Sequence, residues 1–305
     1  MNQLDLNASP NRNEDSDGMS KVSLRKTLCT ESQKLALKKL RLMENVHLNG
    51  QTVAGFLPRC YPLIVGPSGS GKTETVKSFC RSEQIPLLSI SSANWIVWGA
   101  RCDNYTLKGI QAFVKQHSYG SIFIDEIDKI IPSDSRHRTE WGTAVFTELL
   151  ALLDCDSRLR IMEWTVDEIR KLSSCFFIIG SGAWQHLYTG RKRTAVGFAR
   201  GDHIEEDYSK NIWSNNAIPQ EILFRFNCDL ICLSHPSRDE YRQILKVLYR
   251  ELGLRFPLPN KIEQILDQAI ASQIGMRWIE HHLCELQMRK LSEIPMNIPL
   301  ERNTY

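Results

Sequence analysis

The sequence lacks any long hydrophobic run, any strong excess of one charge and any paired set of cysteines. No apolar stretch among its 305 residues approaches the roughly 18 residues that a membrane-spanning helix needs, so we expect no membrane partner. The formal net charge is only +3. That balance neither implies nor excludes a nucleic-acid partner.

The nine cysteines do not have the spacing of a metal site or a disulfide framework. Cys228 and Cys232 come closest, but they flank an apolar run and no second pair is near. Residues 1–17 are polar and lack the apolar segment of a targeting peptide. We therefore expect a protein of a reducing compartment and predict a cytoplasmic location.

Hydrophobic residues make up 42% of the chain, which is enough for a substantial core. Apolar runs typical of buried parallel strands alternate with helical patterns along the sequence. The strands are predicted at residues 61–65, 86–90, 121–124, 175–179 and 229–233. This alternation predicts an α/β fold in which helices flank a parallel five-stranded sheet.

The composition divides the chain into three parts. Residues 1–28 are poor in apolar side chains and are predicted to be a disordered polar tail. Residues 29–235 contain all the strand signals and form the predicted α/β domain. Residues 236–305 show only helical patterns and are predicted to form a small all-helical lid domain.

The most specific motif is a glycine-rich loop between a predicted strand and a predicted helix. It fits the P-loop pattern, and its residues are Gly66, Pro67, Ser68, Gly69, Ser70, Gly71, Lys72 and Thr73. Glycines let backbone N–H groups turn inward around a phosphate chain, and the next helix directs its positive end to the same anion. Lys72 supplies a charge for the β- and γ-phosphates, and the Thr73 hydroxyl can ligate Mg²⁺.

A second phosphate motif is an apolar strand that ends in acidic residues. Asp125 follows this strand, and a carboxylate at the C-terminal end of a parallel strand faces the ligand crevice. Asp125 can therefore hold Mg²⁺ opposite Thr73, and Glu126 can orient an attacking water. The alternative is an ordinary helix start, where acidic residues are common. The P-loop earlier in the same chain favours the catalytic interpretation.

The two motifs together resemble those of the AAA+ ATPases, and within them the Clp X and Hsl U type of protein unfoldase. The resemblance extends from about residue 33 to about residue 292. It implies ATP and Mg²⁺ as cofactors, ATP hydrolysis by Glu126 and Lys72, and self-assembly into a ring, a hexamer in the expected case.

Three further positions resemble markers of the family. Ser181 ends a strand similar to sensor 1, which implies contact with the γ-phosphate; a plain buried strand is the alternative. Arg225 lies in a segment similar to the one that carries the arginine finger, which enters a neighbouring subunit's site; a surface arginine is the alternative. Arg277 resembles sensor 2, where a bound anion offsets a cation in the first helical turn; a solvated arginine is the alternative.

Two loops bear on the substrate. Val97, Trp98 and Gly99 resemble the pore loop that grips a polypeptide, although the aromatic stands one position late; the alternative is that Trp95 and Trp98 pack in the core. In the Clp X type a second loop docks into a peptidase ring, and its counterpart here is Val196, Gly197 and Phe198. The cations of residues 190–193 could contact nucleic acid, although such runs are more often solvated.

The leading hypothesis is an ATPase that unfolds or remodels polypeptides as a homo-oligomeric ring. The alternative is an AAA+ ATPase that acts on DNA, as a loader or as a regulator of a mobile element or phage. A third option, a nucleotide-gated scaffold without catalysis, is disfavoured because Lys72, Asp125 and Glu126 are all present.

Overall fold

The computed structural model describes residues 29–50, 59–100, 103–130, 140–184, 218–226 and 230–292. Several predicted features lie outside these described residues. They are the polar tail 1–28, the cationic run 190–193, the loop formed by residues 196–198, Cys228 and the first residue of the fifth predicted strand, Asp229.

The described strands form one parallel sheet in the order β2-β3-β4-β1-β5. Their bounds are β1 Leu63–Val65, β2 Leu87–Ser91, β3 Gly120–Asp125, β4 Phe176–Gly182 and β5 Ile231–Cys232. All five predicted strands are confirmed, with ends that shift by at most three residues. Cys175, for example, was predicted to begin a strand but closes a helix.

Helices precede, separate and follow the strands. Their bounds are α1 Glu31–Asn49, α2 Lys72–Ser82, α3 Thr106–Gln116, α4 Glu140–Asp154, α5 Arg158–Ile161, α6 Val166–Cys175, α7 Gln220–Arg225, α8 Arg238–Glu251, α9 Pro259–Ser272 and α10 Met276–Ser292. None of the helices in the described part of the chain combines the length and the apolar character needed to cross a membrane.

The central strands are buried on both faces because helices cover the sheet from two sides. Successive side chains of a strand point to opposite faces. Ile122 and Ile124 of β3 join the apolar cluster beneath α3, α4 and α6, whereas Phe123 packs with α1 and α2. Burying each such side chain contributes about 1.5–3 kcal/mol. The two covered faces explain why these strands appear as continuous apolar runs.

Three helices begin with capping boxes, which the sequence predicts at residues 30–33, 165–168 and 237–240. Thr30, Thr165 and Ser237 each accept a hydrogen bond from the backbone three residues later, and the side chain there returns a bond to the cap. Such a cap stabilises a helix by about 1 kcal/mol. The confirmed boxes fix where α1, α6 and α8 begin.

Helices α8, α9 and α10 pack around an apolar cluster of their own, which contains Tyr241, Leu245, Leu266 and Ile279. They contact the sheet-containing part next to the phosphate loop, where the backbone N–H of Met276 donates to the carbonyl oxygen of Gly69 at 2.8 Å. The first turn of α10 is thereby placed beside the C-terminal edge of the sheet.

Candidate active site

The phosphate loop connects β1 to α2 and depends on glycine at two positions. Gly69 and Gly71 have φ values of +80° and +87°, in the region that glycine adopts without strain. Gly71 is the N-cap of α2 and offers no side chain to cap it. The N–H groups of the first turn of α2 are therefore available to a bound anion.

The Lys72 ammonium group lies against its own loop. Its Nζ atom donates to the carbonyl oxygens of Gly66 and Pro67 at 2.7 and 3.0 Å. Burial lowers the pKa of Lys72, while the nearby carboxylates of Asp125 and Asp128 act in the opposite direction. A phosphate chain would give this partly desolvated cation a charged partner.

Asp125 is the point at which three structural elements meet. Its carboxylate accepts hydrogen bonds from the Thr73 hydroxyl at 2.6 Å and from the Ser181 hydroxyl. It also accepts one from the backbone N–H of Glu126 at 2.9 Å. Strand β4 lies between β3 and β1, so the sheet order itself brings Ser181 between the acidic strand end and the phosphate loop.

Glu126 has an unusual backbone conformation and a tightly held carboxylate. Its φ of 61° is uncommon for a residue other than glycine. The carboxylate accepts hydrogen bonds from the Ser91 hydroxyl at 3.0 Å and from Lys129 Nζ at 2.5 Å. The sequence analysis missed Ser91 and Lys129. Ser91 was detectable in principle because it ends β2, the strand that pairs with β3.

Arg277 lies at the start of α10 and faces the phosphate loop, where its Nη1 atom donates to the Ser68 hydroxyl at 3.1 Å. The backbones approach very closely at this joint. A Cβ atom added to Gly69 would lie 1.9 Å from the carbonyl oxygen of Ile274, and one added to Gly275 would lie 2.5 Å from that of Gly69. Helix α10 therefore forms one wall of the site.

These groups line a cavity of about 580 Å³ between the sheet edge and α10. The volume is in the range of known ligand sites. Four cations line the cavity and suit phosphates: Lys72, Lys77, Lys129 and Arg277. Five carboxylates line it as well: Glu74, Asp125, Glu126, Asp128 and Glu280.

The donor set also fits Mg²⁺. Thr73 and Asp125 contribute hard oxygen ligands that already lie within hydrogen-bond distance of each other. Among the described residues no group of three or more His, Cys, Asp or Glu side chains is placed to hold a metal. Mg²⁺ commonly takes one or two protein ligands and completes its coordination with phosphates and water.

Arg225 lies outside this cavity. Its Nε and Nη2 atoms each donate to the Asp154 carboxylate at 2.7 Å, and its Nη1 atom donates to the carbonyl oxygen of Glu221 at 2.7 Å. The hydrogen bonds that Arg225 donates to Asp154 raise the pKa of Arg225. The structure therefore brings Lys72, Thr73, Asp125, Glu126, Ser181 and Arg277 together but leaves Arg225 apart.

The two tryptophans near the predicted pore loop differ in exposure. Trp95 is 2% exposed and packs in the core, as the packing alternative stated. Trp98 is 41% exposed, and Val97 between them is partly buried against the core. Gly99 has a φ of +82° and open space around it. Trp98 and Gly99 are therefore accessible to a partner molecule.

Comparison with known proteins agrees with this geometry. Residues 62–182 match the model of the ATPase family associated with various cellular activities (AAA), a segment that begins just before β1 and ends with β4. The ATP-binding subunit ClpX of the ATP-dependent Clp protease of Treponema denticola is 38% identical over 76 residues, which cover 22% of this chain and 18% of the relative. The chain thus spans about a fifth of the length of this curated relative.

The matched segment contains Lys72, Thr73, Asp125, Glu126 and Ser181, which meet at one edge of the sheet. The glycine-rich loop and the acidic strand end both lie in this segment, in the strand-loop-helix context that a P-loop needs. Residues 62–182 therefore match the AAA family, which performs ATP hydrolysis, and the chain resembles the AAA+ ATPases of the Clp X type.

Proposed function

We propose that the protein hydrolyses ATP with Mg²⁺ and uses the reaction to unfold or remodel polypeptides as a homo-oligomeric ring, a hexamer. The carrying observation is the convergence of Lys72, Thr73, Asp125 and Glu126 on one cavity. AAA ATPases bind ATP and generally use Mg²⁺, and they generally assemble into rings.

Each residue of the cavity has a role that its position supports. Lys72 exchanges its loop carbonyls for the β- and γ-phosphates, and Thr73 and Asp125 hold the metal ion, which neutralises phosphate charge. Glu126 orients the attacking water, with its carboxylate held by Ser91. Arg277 contacts the phosphates from α10. Ser181 is buried behind the cavity wall and donates to Asp125, and its assigned contact with the γ-phosphate requires that this hydroxyl turn toward the cavity.

The ring is supported by the position of Arg225. This guanidinium lies outside the cavity of its own chain, and a catalytic role for it requires the cavity of a neighbouring copy. A planar guanidinium suits the spread charge of a transferring phosphoryl group. We assign Arg225 as the group that completes the neighbour's site.

The polypeptide substrate is supported by the exposure of Trp98 and by the relative's name, which describes the ATP-binding subunit of a protease. An exposed aromatic offers large contact area with little rotamer entropy to lose. A peptidase ring would be the partner in that case, and Val196, Gly197 and Phe198 are its proposed contact.

The first prediction tests the substrate class. Trp98→Ala should leave the basal ATPase rate within about twofold of wild type, because Trp98 lies outside the cavity, and it should abolish stimulation of that rate by an unfolded polypeptide. The matched control is Trp141→Ala, since Trp141 is 42% exposed and lies on α4. Stimulation by DNA and not by polypeptide would favour the DNA-acting alternative, and equal loss in both variants would contradict a specific role for Trp98.

A further inference from the structure

We propose that helix α4 couples Arg225 to the Trp98 segment, residues 95–99, through two carboxylates of the helix, Glu148 and Asp154. This inference rests on the proposed function, because it connects the group assigned to the neighbour's ATP site with the segment assigned to the polypeptide. It assigns Glu148 and Asp154 as positioning residues.

Glu148 anchors the Trp98 segment. Its side chain is 4% exposed, and both carboxylate oxygens are occupied. One accepts the indole N–H of Trp95 at 2.8 Å, and the other accepts the backbone N–H of Trp98 at 2.5 Å. Burial raises the pKa of Glu148, and these two hydrogen bonds oppose that rise. A buried carboxylate bound on both oxygens holds the segment at a fixed distance from α4.

Asp154, the last residue of α4, anchors Arg225. The two parallel hydrogen bonds of 2.7 Å between the guanidinium and the carboxylate are the bidentate geometry that fixes both groups in orientation. The carbonyl oxygen of Asp154 also accepts a hydrogen bond from Arg59 Nη1 at 2.6 Å. Cations at a helix C-terminus suit its dipole, so this end of α4 responds to the position of the arginine beside it.

The part of α4 between the two carboxylates is rigid. Six residues separate them, which corresponds to about 9 Å of helix. Leu149 and Leu152 of α4 and Ile222 and Leu223 of α7 belong to one continuous buried cluster, which also contains Trp95. Close-packed interiors transmit small displacements instead of absorbing them. Movement at Asp154 is therefore passed to Glu148.

In the proposed coupling, Arg225 alternates between two anionic partners. In the structure Arg225 is paired with Asp154 in the same chain. In the proposed ring the neighbour's phosphates compete with Asp154 for the guanidinium, because both are anionic partners for the same planar group. Loss of the pair removes one of the contacts that hold the C-terminal end of α4, leaving those of Arg59 and Arg158, and the anchor of Trp98 shifts with it. The ATP state of one subunit would thus set the position of Trp98 in the next.

Hydrogen exchange at the Trp98 amide of the full chain tests this coupling without any activity measurement. Glu148→Gln should speed that exchange about tenfold, because the amide side chain cannot accept at both atoms. Asp154→Asn should speed it at least threefold, although it leaves Glu148 intact. Arg225→Lys breaks the same bidentate pair by changing the arginine, so it should also speed Trp98 exchange at least threefold.

The matched control is Glu83→Gln. Glu83 also pairs with an arginine, Arg41, at 2.6 Å, but it follows the end of α2 and contacts neither Asp154 nor Arg225. This variant should leave Trp98 exchange within twofold of wild type. The amide of Ile178 in the central strand β4 reports global opening and should be unchanged in every variant; matching acceleration at Ile178 and Trp98 would mean a general loss of stability and would overturn the coupling.

Unchanged Trp98 exchange in Asp154→Asn and Arg225→Lys would likewise overturn it, and unchanged exchange in Glu148→Gln would overturn the anchor. Failure of the proposed function is a separate result. If Trp98→Ala retains stimulation by polypeptide, the role of Trp98 in substrate binding is contradicted. The exchange data still decide whether α4 couples Arg225 to the Trp98 segment.

Discussion

Asp125 illustrates how a single residue acquires its role from sheet order. Thr73 reaches it from the phosphate loop, and Ser181 reaches it from the strand that lies between. The motifs alone predicted Thr73 and Asp125 as metal ligands. That Ser181 bonds to Asp125 follows only from the position of β4 next to β3, which no local pattern specifies.

The second prediction concerns the acid beside Asp125. Glu126→Gln should bind ATP with wild-type affinity and slow its hydrolysis by about a hundredfold or more, because the carboxylate that orients and deprotonates water is lost while the metal ligands remain. Nucleotide titration and steady-state hydrolysis measure the two effects separately.

Two further variants serve as controls for this result, one that should keep hydrolysis and one that should lose nucleotide binding. Glu74→Gln, which changes another acid that lines the cavity, should hydrolyse ATP at close to the wild-type rate. Lys72→Ala should instead lose nucleotide binding, since it removes the cation that faces the phosphates. Normal turnover by Glu126→Gln would end the role assigned to Glu126.

The third prediction concerns pH and a buried histidine. His47 accepts a hydrogen bond from the backbone N–H of Cys60 at Nδ1 and bonds the Phe176 carbonyl oxygen through Nε2, which is the pattern of a neutral ring. Burial lowers the pKa of His47 to about 4. The stability that this neutral ring contributes is present above its unfolded pKa of about 6.5 and is lost as pH falls toward 4.

Lowering the pH from 7 to 5 should therefore remove up to about 2 kcal/mol of unfolding free energy through His47 alone. Urea unfolding at the two pH values should show a smaller difference for His47→Gln than for wild type. His281→Gln, which changes an exposed histidine, should retain the wild-type difference. An equal pH dependence in all three proteins would show that His47 does not titrate in this way.

At the scale of elements, the sequence predicted what depends on neighbours in the chain. The five strands were found because both faces of each are covered, and three helix starts were found because capping boxes are local. The hydrogen bonds of Glu148 were not found. Its partners Trp95 and Trp98 lie about fifty residues away in sequence. No local sequence pattern indicates which distant group a glutamate in an apolar helix will bind.

The fourth prediction concerns a carboxylate that serves two helix starts. One oxygen of Glu240 accepts the backbone N–H of Ser237 at 2.7 Å, and the other accepts that of Glu31 at 2.7 Å. Glu240→Ala should therefore lower the unfolding free energy by about 1–2 kcal/mol, since two helix-end donors lose their acceptor. Glu251→Ala at the other end of α8 should stay within about 0.5 kcal/mol of wild type. Calorimetric melting measures both, and similar values would contradict the double cap.

At the scale of the whole molecule, the fold class was predicted from the sequence and is confirmed, because buried strands leave local signatures in composition and spacing. The residues of the nucleotide site were named from two local motifs, and their roles stay predictions. The ring was predicted only from the resemblance and also stays a prediction, because an assembly depends on surfaces of two copies; the position of Arg225 away from its own cavity supports it.

The fifth prediction tests the ring. Arg225→Ala should keep the affinity for ATP and lose about a thousandfold in turnover, the scale of a missing arginine finger. Mixing it with Lys72→Ala protein should partly restore hydrolysis, because each variant supplies the side of the interface that the other lacks. Sedimentation should show ATP-dependent assembly. A fully active monomer at the assay concentration would refute the ring.

The joint between Gly69 and Gly275 has a consequence for how the sequence can vary. Backbone lies against backbone there, with a hypothetical methyl group 1.9 Å from the Ile274 carbonyl oxygen on one side and 2.5 Å from Gly69 on the other. Both residues also have positive φ. Of the twenty amino acids, only the one without a side chain fits either position, so a saturation library here should return glycine at both codons. The contact between α10 and the phosphate loop therefore depends on two residues that carry only hydrogen in place of a side chain.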